Sequence, residues 1–300
     1  MYILRHSIVI GIGILTALFL GTVPVSAGAR QTLVDQTGRE IRLPKFPQRI
    51  VALAPSITEV IYALDCEDRL KGATRFSDYP EAAKGVPKVG SYVYLDLEKI
   101  VALDPDVCIA IKDGNPKTVV DRLESLGIPV FAVNPRGLAS VMRTITDIGR
   151  LMGVEERAER IVSDMKSRIE KVESKVARAD KRPRVFFQIG ISPIVSAGSD
   201  TFIHELIVKA GGRNIAGKYQ SYPKFSREEV LELAPEVLII TSMARDEVFE
   251  RVKAEWEKWH QIPAVAGDRV HLVDSNLYDR PSPRLVDALE ELLGLIHPEL

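Results

Sequence analysis

Short apolar runs alternate with helical spacing along most of this chain. Arg49-Ile50-Val51-Ala52-Leu53 reads as a buried strand, Ser56 as an N-cap, and Thr58 to Leu64 as a helix. Leu70-Lys71-Gly72-Ala73-Thr74 predicts a second strand, followed by the loop Arg75-Phe76-Ser77-Asp78-Tyr79-Pro80. Pro87-Lys88-Val89-Gly90 leads to a short strand and a loop around Tyr92 and Tyr94. A strand through Cys108, a loop from Lys112 to Pro116, a helix to Leu126 and a strand from Pro129 to Val133 follow. Strands that alternate with helical stretches in this way predict a parallel sheet covered on both faces.

One phrase of this pattern occurs twice. Leu97-Glu98-Lys99-Ile100-Val101-Ala102-Leu103-Asp104-Pro105-Asp106-Val107-Cys108-Ile109-Ala110 returns in outline as Arg227-Glu228-Glu229-Val230-Leu231-Glu232-Leu233-Ala234-Pro235-Glu236-Val237-Leu238-Ile239-Ile240. Each copy is a short amphipathic helix, a turn before proline and a buried strand. Two similar lobes are implied, with Glu98 and Glu228 at the same place in each.

Between the copies the pattern changes. Ile161, Met165, Ile169, Val172 and Val176 fall at steps of four, four, three and four among charged residues. That narrow stripe predicts one amphipathic helix over Val154–Asp180, roughly 40 Å long at about 1.5 Å per residue. Strands then restart at Val185-Phe186-Phe187-Gln188-Ile189. A helix from Phe202 to Ala210, a helix from Glu247 to Trp259, a strand at Val270-His271-Leu272-Val273, a loop from Asp274 to Ser282 and a helix from Pro283 to Leu293 complete the second lobe. The expected fold is α/β: two Rossmann-like lobes with parallel sheets joined by one long interlobe helix. The expected boundaries are 1–27 for an export signal, 28–153 for the N-terminal lobe, 154–182 for the connecting helix and 183–300 for the C-terminal lobe.

Composition narrows the setting. At 46% hydrophobic and 27% charged residues with a formal net charge of -1, nothing marks the chain for nucleic acid. Arg5 and His6, the apolar run Ile8–Leu20 and the small residues of Val25-Ser26-Ala27 read as a secretory signal, cleaved near Ala27. No cysteine adjoins that point, so a periplasmic protein free of an N-terminal lipid is expected. The two cysteines, Cys66 and Cys108, fit either a disulfide or two buried thiols.

Catalytic signatures are missing. The chain has no Gly-x-Ser-x-Gly elbow, phosphate-binding glycine loop or Cys-x-x-Cys, and its five histidines have no metal-ligand spacing. No enzyme activity, resident cofactor or metal is expected. Aromatics are only 6% of the chain, yet Phe76, Tyr79, Tyr92, Tyr94, Trp256, Trp259 and Tyr278 cluster with Arg280 in connections at the strand ends. Ligands of open α/β sheets sit outside those ends, and such rings suit a large, flat, partly apolar molecule.

From Arg49 to about Leu293 the chain resembles the two-lobe, rigid-helix substrate-binding proteins of ABC importers, which carry cobalamin, haem and iron-siderophores. The segments concerned are Ser77-Asp78-Tyr79-Pro80, Leu97-Glu98-x-Ile100-Val101-Ala102-Leu103, Gln188-x-Gly190-Ile191, Ser226-Arg227-Glu228-x-Val230-Leu231, and Arg280 with Ser282-Pro283-Arg284. The look is nearest to the cobalamin-binding members. The resemblance implies a monomer that holds a corrinoid, cobalamin first, between its lobes. It implies docking on a two-fold membrane permease through Glu98 and Glu228. It also implies a ligand set of Phe76, Tyr92, Trp256, Asn276, Tyr278 and Arg280. Ile111 departs from the cobalamin pattern, which has an aromatic there. Haem and iron-siderophores stay open as ligands. A secreted two-lobe enzyme and a receptor-docking sensor are the readings from other classes.

Overall fold

The computed structural model describes residues 29–241 and 248–300. The expected export signal lies outside the described residues, as does the first residue of the helix expected from Glu247.

An antiparallel hairpin, β1 (Arg30–Val34) and β2 (Glu40–Pro44), precedes the first lobe; the hydrophobic pattern had left it unassigned. The lobe itself runs β3 (Ile50–Ala52), α1 (Pro55–Ala63), β4 (Leu70–Ala73), α2 (Leu97–Ala102), β5 (Val107–Ile111), α3 (Lys117–Ser125) and β6 (Val130–Val133). Its sheet is parallel in the order β4-β3-β5-β6. Ile50, Val51 and Ala52 are all buried because helices cover both faces. The stretch after Pro87 makes isolated bridges instead of the short strand expected there.

Two helices then cross to the second lobe. α4 (Leu138–Met152), unassigned by the sequence pattern, meets α5 (Glu155–Val176) at Gly153, whose φ is 71°. A Cβ there would stand 2.5 Å from the Phe46 ring, so glycine is required on two counts. α5 ends four residues short of Asp180. At about 1.5 Å per residue it is roughly 33 Å long. Its Arg157 donates to the Ala63 carbonyl (3.0 Å) and pairs with Asp65 (2.9 Å) in the first lobe. Arg168, three turns on, pairs with Asp287 (2.6 Å) and Glu290 (2.5 Å) of the second.

The second lobe contains β7 (Arg184–Gly190), β8 (Ile194–Ser196), α6 (Phe202–Lys209), β9 (Arg213–Asn214), β10 (Lys224–Phe225), α7 (Arg227–Leu233), β11 (Val237–Ile240), α8 (Val248–Glu257), α9 (Pro263–Ala266), β12 (Val270–Leu272), α10 (Ser275–Tyr278) and α11 (Leu285–Ile296). β7, β11 and β12 are parallel, but β8 and β10 extend one edge antiparallel, so this sheet is mixed where a parallel one was expected. The loops expected over Gly190–Ser199 and Asn214–Phe225 are where those two strands lie.

The duplicated phrase folds the same way twice. α2 leads into β5 beside β3, and α7 leads into β11 beside β7. Asp104 and Ala234, each before its proline, have φ of 45° and 46°. Arg49 Nε donates to the Asp104 carbonyl and Arg184 Nε to the Ala234 carbonyl, both at 2.8 Å. The Asp106 carboxylate accepts from the Arg49 amide at 2.9 Å, and that of Glu236 from the Arg184 amide at 2.8 Å. A side chain from the neighbouring strand thus holds each strained turn.

One apolar cluster runs from Ile50, Ile57 and Phe131 of the first lobe through Met165, Ile169 and Val172 of α5 to Val185, Leu206 and Leu289 of the second. The outer faces of the two sheets have separate clusters around Cys108 and around Phe186. Cys66 and Cys108 are buried free thiols, and burial pushes Cys108 up to about 12. Met165 lies where both lobes meet α5, so Met165→Ala should cost about 2–5 kcal/mol of stability, read from urea denaturation.

Candidate functional site

The carboxyl ends of β3, β5 and β6 face those of β7, β11 and β12 across the junction of the lobes. The loops there hold most of the residues that the sequence points to. A buried ionic cluster spans the junction at one edge. Glu59 is on α1, one turn from its start, with 3% exposure. Its carboxylate accepts from Arg280 Nη1 (3.0 Å), Arg284 Nε (3.1 Å) and Ser282 Oγ (2.6 Å), all on the chain between α10 and α11. Arg280, 7% exposed, also donates through Nη2 to Asp78 (2.8 Å), to the Phe76 carbonyl (2.9 Å) and to Asn276 Oδ1 (2.5 Å). Arg284 stacks 3.7 Å from the centre of the Tyr79 ring. Two guanidinium groups meet two carboxylates, so the cluster is neutral and nearly dry. The segments Ser77-Asp78-Tyr79-Pro80 and Arg280 to Arg284, far apart in sequence, are the two halves of one clamp.

The clamp changes the reading of several ligand candidates. Arg280, expected to meet the ligand, has its donors directed into the clamp, and Asn276 is held beside it. Tyr278 is fully buried against Phe187, with ring centroids 5.6 Å apart, and faces the core. Trp256 is 3% exposed, on α8 in the second lobe's outer core, and its indole N–H donates to Gln188 Oε1 at 2.7 Å. It borders a cavity of about 280 Å³ shared with Gln188, Ile191, Arg227 and Arg251. Phe76 and Tyr92 are half-buried at the crevice. Arg75 lies 4.7 Å over the Phe76 ring. Tyr92 packs its ring near Gly114, and its carbonyl accepts from Asn115 Nδ2 at 2.8 Å.

The opposite edge is looser. Arg136, after β6, pairs with Asp113 at 2.7 Å and with Asp200 of the second lobe at 3.6 Å, all three being exposed. Glu205 of α6 accepts from the Leu138 amide at 2.7 Å and so caps α4 from the other lobe. A groove of about 550 Å³ lies there, lined by Arg136, Asp200, Thr201, His204 and Lys209.

Two crevice residues escaped the sequence reading. Tyr222 lies in the loop that leads to β10; burial raises its phenol, and Asp279, Asp113 and Asp200 raise it further. Counting loop aromatics more fully would have found it. Asp279 is next to Arg280 in sequence, but its carboxyl accepts from Thr241 Oγ1 at 3.5 Å, and burial pushes it up to about 7. Glu59 left no signal, because an acid on a predicted helix reads as solvated. Glu98 and Glu228 are exposed, each the second residue of its helix, α2 or α7. Among the described residues no His, Cys, Asp and Glu group could hold a metal ion.

Glu59→Ala would leave two guanidinium groups buried without their partner, so a loss of about 3–5 kcal/mol is expected in chemical denaturation. Asp279 has the opposite sign. Its folded value near 7 lies above the ordinary 3.8, so its protonated form favours the fold. That contribution is complete below about 3.8 and lost as pH rises through about 7. Asp279→Asn should therefore flatten this decline and leave the protein more stable than the parent at pH 8, measured by urea unfolding at pH 5 and pH 8.

Comparison with known proteins shows the family. The family model described as a periplasmic binding protein matches residues 50–277. The chain is 32% identical over 248 residues to the vitamin B12-binding protein of Vibrio campbellii, covering 82% of this chain and 88% of that one. It is 30% identical over 274 residues to an uncharacterized ABC transporter substrate-binding lipoprotein, YvrC, of Bacillus subtilis, covering 89% and 86%. The solved periplasmic heme-binding protein RhuT of Roseiflexus superposes with a TM-score of 0.76 at 25% identity, over 84% of this chain and 98% of that one. The family is one of substrate-binding transport proteins, and this chain belongs to it: a periplasmic binding protein of the ABC-importer class.

Proposed function

We propose that this binding protein carries a corrinoid, cobalamin first, to a two-fold ABC permease. The observation that supports the ligand best is the aromatic lining of the crevice from both lobes: Phe76 and Tyr92 on one side and Tyr222 on the other. Aromatic rings on loops of both lobes suit a broad, partly apolar macrocycle. The protein similar to this chain in Vibrio campbellii is named for vitamin B12. The arginines nearest the crevice floor, Arg280 and Arg284, are already paired with Glu59 and Asp78. A ligand that depends on them for its carboxylates is thereby disfavoured. Haem is the second reading, favoured by the RhuT superposition and by the tyrosines Tyr92 and Tyr222, which could serve as axial ligands.

Docking follows from the duplication. Glu98 and Glu228 hold the same position on equivalent helices, and two equivalent acids match a partner with two equivalent surfaces. Delivery by a monomer cleaved near Ala27 completes the reading.

Titration calorimetry with cyanocobalamin, haemin and a ferric siderophore tests the ligand; absence of heat with cyanocobalamin alone would overturn the corrinoid. Replacing Glu98 and Glu228 together by Ala should leave ligand affinity within about twofold, because surface substitutions stay near ±0.5 kcal/mol, while vesicles carrying the permease no longer capture the protein. A fall in ligand affinity instead would refute the docking role.

A further inference from the structure

Unlike contacts hold the two edges of the crevice, and strand order separates them. The first-lobe sheet runs β4-β3-β5-β6, and the second has β8 and β10 at one side and β12 at the other. The clamp joins the helix after β3 and the loop after β4 to the chain after β12. In it Glu59 meets Arg280 at 3.0 Å and Arg284 at 3.1 Å, and Arg280 meets Asp78 at 2.8 Å. The far edge joins the chain after β6 to the chain after β8. There Arg136 reaches Asp200 at 3.6 Å on the exposed surface, and the Glu205 carboxylate accepts from the Leu138 amide at 2.7 Å.

That last bond supplies a cap that α4 lacks. Gly137, at the N-cap of α4, has no side chain to offer. Ser140 Oγ accepts from the Arg136 and Gly137 amides at 2.8 and 2.9 Å, and the Leu138 amide is left to the other lobe. Gly137 also makes the room. A Cβ there would stand 2.5 Å from Glu205 Oε2, although its φ of -156° and ψ of 174° suit any residue. The glycine therefore serves the approach of Glu205 and no turn of the backbone.

We propose that Glu205 on the start of α4 is a latch, that the lobes pivot on the Glu59 clamp and part at the latch edge, and that the ligand enters and leaves there. Parting the clamp would strand buried charges, whereas the latch and the Arg136 pair return their groups to water. The groove of about 550 Å³ lined by Arg136, Gly137 and Glu205 gives the parting edge an existing mouth. From the proposed function the inference takes only that a ligand lies between the lobes.

Gly137→Ala tests the latch without changing a charge. The added methyl displaces only the far end of the Glu205 side chain, so the variant should melt close to the parent. Spin labels at Ala139→Cys and Val208→Cys span the latch edge, and labels at Ala82→Cys and Glu291→Cys span the clamp edge; all four positions are exposed. The native thiols are buried and stay unlabelled. Double electron–electron resonance on the ligand-free protein should find a longer-distance population across the latch edge in Gly137→Ala, and an unchanged distribution across the clamp edge. The Leu138 amide should exchange about fivefold faster, the change to which loss of one helix cap converts. Cyanocobalamin, or haemin if calorimetry finds that ligand instead, should both bind and leave about fivefold faster. Affinity should stay within about twofold, because the latch closes the free and the loaded protein alike. Loss of a ligand contact would instead weaken affinity through release alone. A longer-distance population at both edges, at the clamp edge alone or at neither, in a folded variant, overturns the inference. Unchanged binding and release rates beside a widened latch edge overturn it as well. Should neither probe bind, the proposed function fails by itself and the distances still decide the latch. Should Gly137→Ala fail to fold, Glu205→Ala removes the same bond and is read the same way.

Discussion

Glu59 accepts hydrogen bonds from Arg280, Ser282 and Arg284 across the junction of two lobes, with almost no access to water. A buried charge of this kind is tolerable only when its partners are in place, because desolvation costs several kcal/mol per ion. The partners come from a segment more than two hundred residues away. The two lobes are therefore tied to one relative orientation: separating them would strand a carboxylate and two guanidinium groups. α5 supplies the complementary constraint, anchored by Arg157 to the first lobe and by Arg168 to the second. Apolar packing along Met165, Ile169 and Val172 makes the helix part of both cores. A stiff strut and a buried clamp together leave little room for hinge motion.

The two edges of the crevice differ in kind. On the clamp side the charges are dry and matched. On the other, Arg136 joins Asp113 and Asp200 at the exposed surface, where such pairs contribute about 0–1 kcal/mol and weaken with salt. Any small change in the gap between the lobes meets least resistance at that edge. The groove beside Arg136 and His204 and the exposed face of Tyr222 lie there too.

Duplication supplies the outer surface, and divergence supplies the inner one. Arg49 and Arg184 make the same bond to the same strained turn in each lobe, so the helices that carry Glu98 and Glu228 are held alike. The loops at the junction have no such correspondence: Phe76, Tyr92 and Asp113 belong to the first lobe, and Tyr222, Thr241 and Asp279 to the second. A partner that sees both lobes from outside meets a nearly two-fold object, while a molecule between them meets two different walls.

Much of this was legible in the sequence. Apolar runs and helical spacing marked the strands and helices, because side-chain periodicity is set by residues only a few positions apart. The repeated phrase placed Glu98 and Glu228 by local capping and turn chemistry, and it survived folding nearly unchanged. The steps of three and four marked α5, and α4, left unassigned, has the same signal, with Leu138, Val141, Ile145, Ile148 and Leu151 at steps of three and four. The site was harder. Aromatics in loops pointed to Phe76 and Tyr92 but also to Trp256 and Tyr278, which the fold turns into its cores; a ring has the same composition in either place. Arg280 reads as an open cation until Glu59 is brought to it, and Glu59 reads as a solvated acid until Arg280 and Arg284 remove its water. Local periodicity is a property of adjacent residues and can be read along the chain. Which buried charges meet depends on contacts between the lobes, and only the tertiary structure decides it.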